Sequence, residues 1–81
     1  MGLTKQGMLE ILAANRGPLE HELYAAEIEL EVKEEGVKHG ATGVTQEQVE
    51  AVKARRDGLQ AQVKVIDDQA EKTRLEQDDD A

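Results

Sequence analysis

Cysteine, serine, phenylalanine and tryptophan are all absent from the 81 residues, and tyrosine and proline occur once each, as Tyr24 and Pro18. Without cysteine there is no disulfide framework and no thiolate metal site. Without serine there is no serine nucleophile, and Thr4, Thr42, Thr45 and Thr73 fall where turns and helices account for them. The large aromatic rings that fill most small cores are missing, so burial must come from Leu, Val, Ile, Met and Ala. A chain this short has limited means of building a core, and burial at an interface is the simplest supplement. No apolar run approaches the length of a membrane span or of a signal-peptide core. That predicts no membrane partner and a place in the cytoplasm or in a particle assembled inside the cell. Met1-Gly2-Leu3-Thr4-Lys5-Gln6 begins like a myristoylation signal but has Gln6 where Ser or Thr is needed.

The formal charge is −8, from 18 acidic and 10 basic side chains. Residues 1–40 and 41–81 each contribute −4. This disfavours binding to nucleic acid and suits a basic protein partner. The Lys53-Ala54-Arg55-Arg56 cluster is flanked by Glu50 and Asp57, which dilutes any nucleic-acid signal. His21 and His39 are the only histidines, and no spacing pairs either with carboxylates as a zinc set. Asp78-Asp79-Asp80 lacks the ligand pattern and glycine of a calcium loop. Three glycines in Gly36–Gly43 lack the Gly-Lys-Ser/Thr of a phosphate loop. No catalytic, metal or cofactor residue is assigned, and the chain is read as a non-enzyme.

What is present is helical periodicity. In the second half, Val49, Val52, Arg56, Leu59, Val63, Ile66, Ala70 and Thr73 recur at alternating steps of three and four, a seam down one side of a long helix. Ala51, Ala54, Gly58, Ala61 and Val65 repeat the spacing on nearly the opposite side. The first half behaves alike. Leu12, Leu19, Leu23, Ala26 and Leu30 make one seam, with Arg16 and Lys33 in phase, and Ile11, Ala14, His21, Ala25, Ile28 and Val32 make another. Both phases cross Gly17-Pro18 unchanged, so the first arm is read as a helix kinked or broken there rather than as two unrelated helices. Glu27–Lys33 alternates charged and apolar residues as a half-buried strand would, but no second β-rich run exists to pair with it.

The turn is placed at residues 36–45. Gly36 is assigned the left-handed position after the first helix, with no helix crossing the segment beyond it. Thr45 is the next N-cap, with Gln48 as capping-box partner and Val44 and Val49 as staple. Thr4 caps the first helix, weakened by Gly7 at the capping-box position. The short turn makes the arms antiparallel and pairs residues whose numbers sum to 81 or 82, such as Leu30 with Val52 and Leu23 with Leu59. Lys53, Arg55 and Arg56 then face Glu27, Glu29 and Glu31. Arg16 is given an ion pair at the seam edge, to Asp67 or to a neighbouring subunit.

The sequence therefore predicts an all-α antiparallel helical hairpin with coiled-coil-like packing, in one domain over residues 1–77. Its helices span about 5–35 and 46–76, and residues 78–81 form an acidic disordered tail. The first seams close the hairpin. The second seams make it a homo-oligomer, a larger bundle or ring. The function that follows is structural or assembly. The alternative is a small acidic adaptor or inhibitor for a basic partner, as among the accessory proteins of phages and plasmids, an analogy of size and charge.

Overall fold

The computed structural model describes residues 2–76. Helix α1 spans Lys5–Lys38 and helix α2 spans Gln46–Leu75; they pack against each other along their length. Among the described residues there is no strand, and the alternating Glu27–Lys33 segment lies inside α1, as the helix formers around it require. The tail expected at residues 78–81 lies outside the described residues.

Both helices start where the side-chain chemistry places them. Thr4 Oγ1 accepts the Gly7 N–H at 2.9 Å, and Thr45 Oγ1 accepts the Gln48 N–H at 3.2 Å. Each hydroxyl satisfies one of the donors that a helix N-terminus leaves without a partner. Glu47 adds an anion in the first turn of α2, the favourable end of the helix dipole.

The end of α1 differs from the sequence reading. The helix runs through Gly36 and stops three residues beyond position 35, with His39 as C-cap. Gly40 takes the left-handed conformation at φ +70. Its N–H bonds to the Val37 carbonyl at 3.1 Å, and the Ala41 N–H bonds to the Gly36 carbonyl at 2.8 Å. Those two bonds form a Schellman cap built on Gly40 instead of Gly36. Gly36 has another reason to lack a side chain. A Cβ there would stand 3.2 Å from both methyls of Val44 and 3.4 Å from its Cβ, so Val44 would have to give by a few tenths of an ångström. The loop returns over α1 at this point, and a second left-handed glycine, Gly43 at φ +84, aims it into α2.

Pro18 lies inside α1 as one continuous helix, so the broken alternative for the first arm does not hold. Proline removes the N–H that would bond to the Ala14 carbonyl. Ala14 and Pro18 are both exposed, which leaves that carbonyl to water. The residue before proline normally avoids helical backbone because its Cβ meets the ring; Gly17 has none. Next to the gap, Asn15 Nδ2 donates to the Ile11 carbonyl at 2.8 Å.

The core is a single seam. Leu30 is 5% exposed, Val49 3% and Val52 7%, with Val37 packed against them at the turn end. Farther along, Ala26, Leu59, Val63, Ala70 and Thr73 are buried, and Leu12, Leu19, Leu23 and Ile66 are half-buried. Thr73 buries its hydroxyl without penalty because Oγ1 donates to the Gln69 carbonyl at 2.8 Å. Two helices alone cannot enclose a volume, and the molecule is a rod of 63 × 16 × 15 Å. Its radius of gyration is 18.3 Å, where a compact chain of this length has about 12 Å.

Candidate functional site

Polar contacts across the seam fix how the arms pair. Arg16–Asp67, Glu29–Arg55 and Lys5–Glu76 cross it at residue numbers summing to 83, 84 and 81. Lys5 Nζ donates to the Glu76 carbonyl at 2.7 Å, which ties the start of α1 to the end of α2. Of the three basic residues placed opposite Glu27, Glu29 and Glu31, Arg55 reaches Glu29 at 3.3 Å. Arg56 does not cross: its Nε donates to the neighbouring Asp57 at 2.8 Å. Its side chain is half-buried, and pairing with the adjacent residue is a cheaper arrangement than carrying the guanidinium over the seam.

Arg16 forks onto Asp67, Nε to Oδ1 at 2.6 Å and Nη2 to Oδ2 at 3.2 Å, while Nη1 pairs with Glu20 one turn along. The Arg16 hydrogen bond holds the Asp67 carboxyl below its ordinary range; partial desolvation opposes this, and attraction from Arg16 and Arg74 adds to it. The same bonds hold the Arg16 guanidinium above its already high range, so within the Arg16–Asp67 pair it is the carboxyl that titrates in acid. A carboxyl depressed by folding contributes stability above its unfolded pKa, and that stability fades as pH falls through the lower folded value. The contribution is therefore complete above the ordinary value of 3.8 and falls away progressively as pH drops from there through the lower folded value. In thermal melts from about pH 7 to about pH 2, Asp67→Asn is expected to lower the melting temperature at neutral pH and to flatten the acid limb. Equal acid limbs in the two proteins would show that the fork contributes nothing in solution.

The residues of the second phase all lie on the outside. On α1, Ile11, Ala14, His21, Ala25, Ile28 and Val32 are exposed, along the side away from α2. On α2, Ala51, Ala54, Gly58, Ala61 and Val65 are exposed, along the side away from α1. The two outer faces differ in kind. The α1 face carries bulky aliphatics, Ile28 at 44% and Val32 at 65% exposure, among eight acidic and four basic residues of its helix. The α2 face is mostly alanine and glycine with Val65, on a helix with six acidic and six basic residues and hence no net charge. Gly58 lies in the interior of α2, where glycine costs about 1 kcal/mol relative to alanine. A Cβ at that position would meet nothing within 4 Å, so no contact within the chain requires its absence.

Two concave features lie among the described residues. An open cleft of about 380 Å³ lies between the arms toward their Lys5–Glu76 end, with Leu12 and Ile66 in its floor and Arg16, Asp67 and Arg74 at its rim. A shallower one of about 360 Å³ is lined by Glu31, Glu34, Glu35 and Lys38. Neither gathers a nucleophile with a base. Among the described residues no three His, Asp or Glu side chains are grouped to hold a metal ion, and no helix is long and apolar enough to cross a membrane.

The class these observations define is an all-α helical hairpin with one buried seam and two unlike, uncovered faces. No family model matches the chain, and no curated protein or solved structure matches it.

Proposed function

We propose that this chain is a structural or assembly protein, not an enzyme, and that it homo-oligomerises through the outer faces of α1 and α2. The observation that carries the reading is the outer side of α1, where Ile11, Ile28 and Val32 are large, aliphatic and exposed, with Val65 likewise exposed on the outer side of α2. Single exposed apolar residues need no explanation, but a phased row of them does. Area supports the same reading. The chain exposes 6166 Å², whereas a compact protein of its mass exposes about 4,800 Å². The excess, on the order of 1,300 Å², exceeds the roughly 800 Å² that one partner gives up in an interface of ordinary size.

Sedimentation equilibrium over a wide concentration range tests the proposal. The wild type is expected to exceed its 8.9 kDa monomer mass, and Ala54→Glu with Ala61→Glu is expected to return it to that mass with the helices retained. Both alanines are exposed in the hairpin, so a carboxylate at either would be buried only against another chain. A wild type that stays monomeric throughout would overturn the proposal. It would favour the second reading, an adaptor or inhibitor for a basic protein. The charge of α1 is the observation behind that reading, since its acidic excess is not balanced by α2.

A further inference from the structure

We infer that the occupant of the outer face of α1 is the outer face of α2 from a second copy of this chain, so that hairpins join side by side and head to tail. The inference rests on the self-association proposed above and says which face meets which. Register is its main support. Within the hairpin, Leu30 and Val52, Leu23 and Leu59, and Leu19 and Val63 stand at residue numbers summing to 82, between the sums of the observed cross-seam contacts. Moving a second hairpin sideways with no sliding keeps that sum and brings its α2 antiparallel to the α1 of the first. Ile28 then faces Ala54, and His21 faces Ala61, both at 82. Val32 faces Ala51, and Ala25 faces Gly58, both at 83. Ile28 and Val32 of one face thus meet alanines of the other without any stagger, as interdigitating helices require, while Ile11 falls opposite Glu71.

The two symmetric alternatives fit less well. Pairing α1 with α1 has no register set by the hairpin itself and leaves the small residues of α2 uncovered. It also brings together two helices that each carry eight acidic and four basic residues. Pairing α2 with α2 is neutral, but it buries little beyond alanine, glycine and Val65 and leaves the apolar face of α1 in water. Only the mixed contact covers both faces while setting the acidic helix against the neutral one. It also accounts for Gly58, whose missing side chain serves no contact within the chain and would admit a neighbouring helix. Such a contact does not close on two copies; it continues into a ring or a filament.

The absence of cysteine makes the arrangement directly testable. Ile28→Cys and Ala54→Cys are made as separate single variants, both at exposed positions outside the seam, and their helicity is checked against wild type. Each is then oxidised alone and as an equimolar mixture, with a short bismaleimide as a second bridge that tolerates looser geometry than a disulfide. In a side-by-side array, two Ile28 residues on adjacent copies are two helix spacings apart, about 20 Å. The mixture is therefore expected to give covalent dimer at least about tenfold above either variant alone. One chain carrying both cysteines is expected to give a ladder of trimers, tetramers and longer species. Dimer from Ile28→Cys alone, or from Ala54→Cys alone, at the level of the mixture would overturn the mixed arrangement in favour of a symmetric one. No cross-link in a protein that sediments as an oligomer would overturn it while leaving self-association standing. A monomer by sedimentation would overturn both.

Discussion

Replacing Pro18 by alanine is expected to stabilise the hairpin by about 1–3 kcal/mol, an unusual outcome for a helix residue chosen without regard to function. The gain has two sources. Alanine restores the N–H that α1 lacks opposite the Ala14 carbonyl, and it removes the ring that crowds that carbonyl. Because Ala14 and Pro18 are exposed, water already satisfies part of the lost bond, which keeps the gain at or below the full proline penalty. In a domain of this size each kcal/mol moves the melting temperature by about 4–8 °C. Thermal unfolding followed by far-ultraviolet circular dichroism reads the effect. An unchanged or lowered melting temperature would mean that residues 5–17 are not helically continuous with residues 19–38 in solution.

The second large effect has the opposite sign. Leu30→Ala is expected to cost about 2–5 kcal/mol, the range for truncating a buried leucine. Leu30 packs with Val49 and Val52 in the buried cluster of the seam next to the turn. A single hydrophobic seam in a chain this small rarely supplies more than about 3–5 kcal/mol, so the variant should lose most of its helix at room temperature when dilute. Leu12→Ala, at a half-buried position near the opposite pole, is the internal control and should cost less. If the two substitutions cost the same, burial is uniform along the rod and the turn end is not its anchor.

Much of this architecture is legible in the residues. A three-four spacing reports which side of a helix is apolar, and the side read as the seam, from Leu12 to Leu30 and from Val49 to Ala70, is the side turned inward. Thr45 was legible as a cap because side-chain chemistry and position agree there, and Arg16 because an arginine in a seam must find an anion at its edge. Where α1 ends was not legible. Gly36 and Gly40 offer the same backbone freedom, the left-handed position falls to Gly40, and Val44 lies over Gly36, a contact between residues eight apart that exists only after the loop has closed. The partner of Arg56 is not legible for a related reason. Charge pattern placed it against the glutamates of α1, but Asp57 beside it offers a partner without spanning the seam. The outer faces were visible as stripes, whereas the unlike character of the two faces stands out only once each is set on its side of the rod.

The bond from Lys5 to the Glu76 carbonyl has a mechanical consequence. It places the beginning of α1 beside the end of α2 at one pole, so tension applied through these two points acts across the seam instead of along it. The helices would peel apart rung by rung, with the Arg16–Asp67 fork among the first ties to carry the load and the valines at the turn the last to release. Traction between one pole and the other loads both helices along their axes instead. Such a rod is soft when pried open from its paired ends and stiff when stretched end to end.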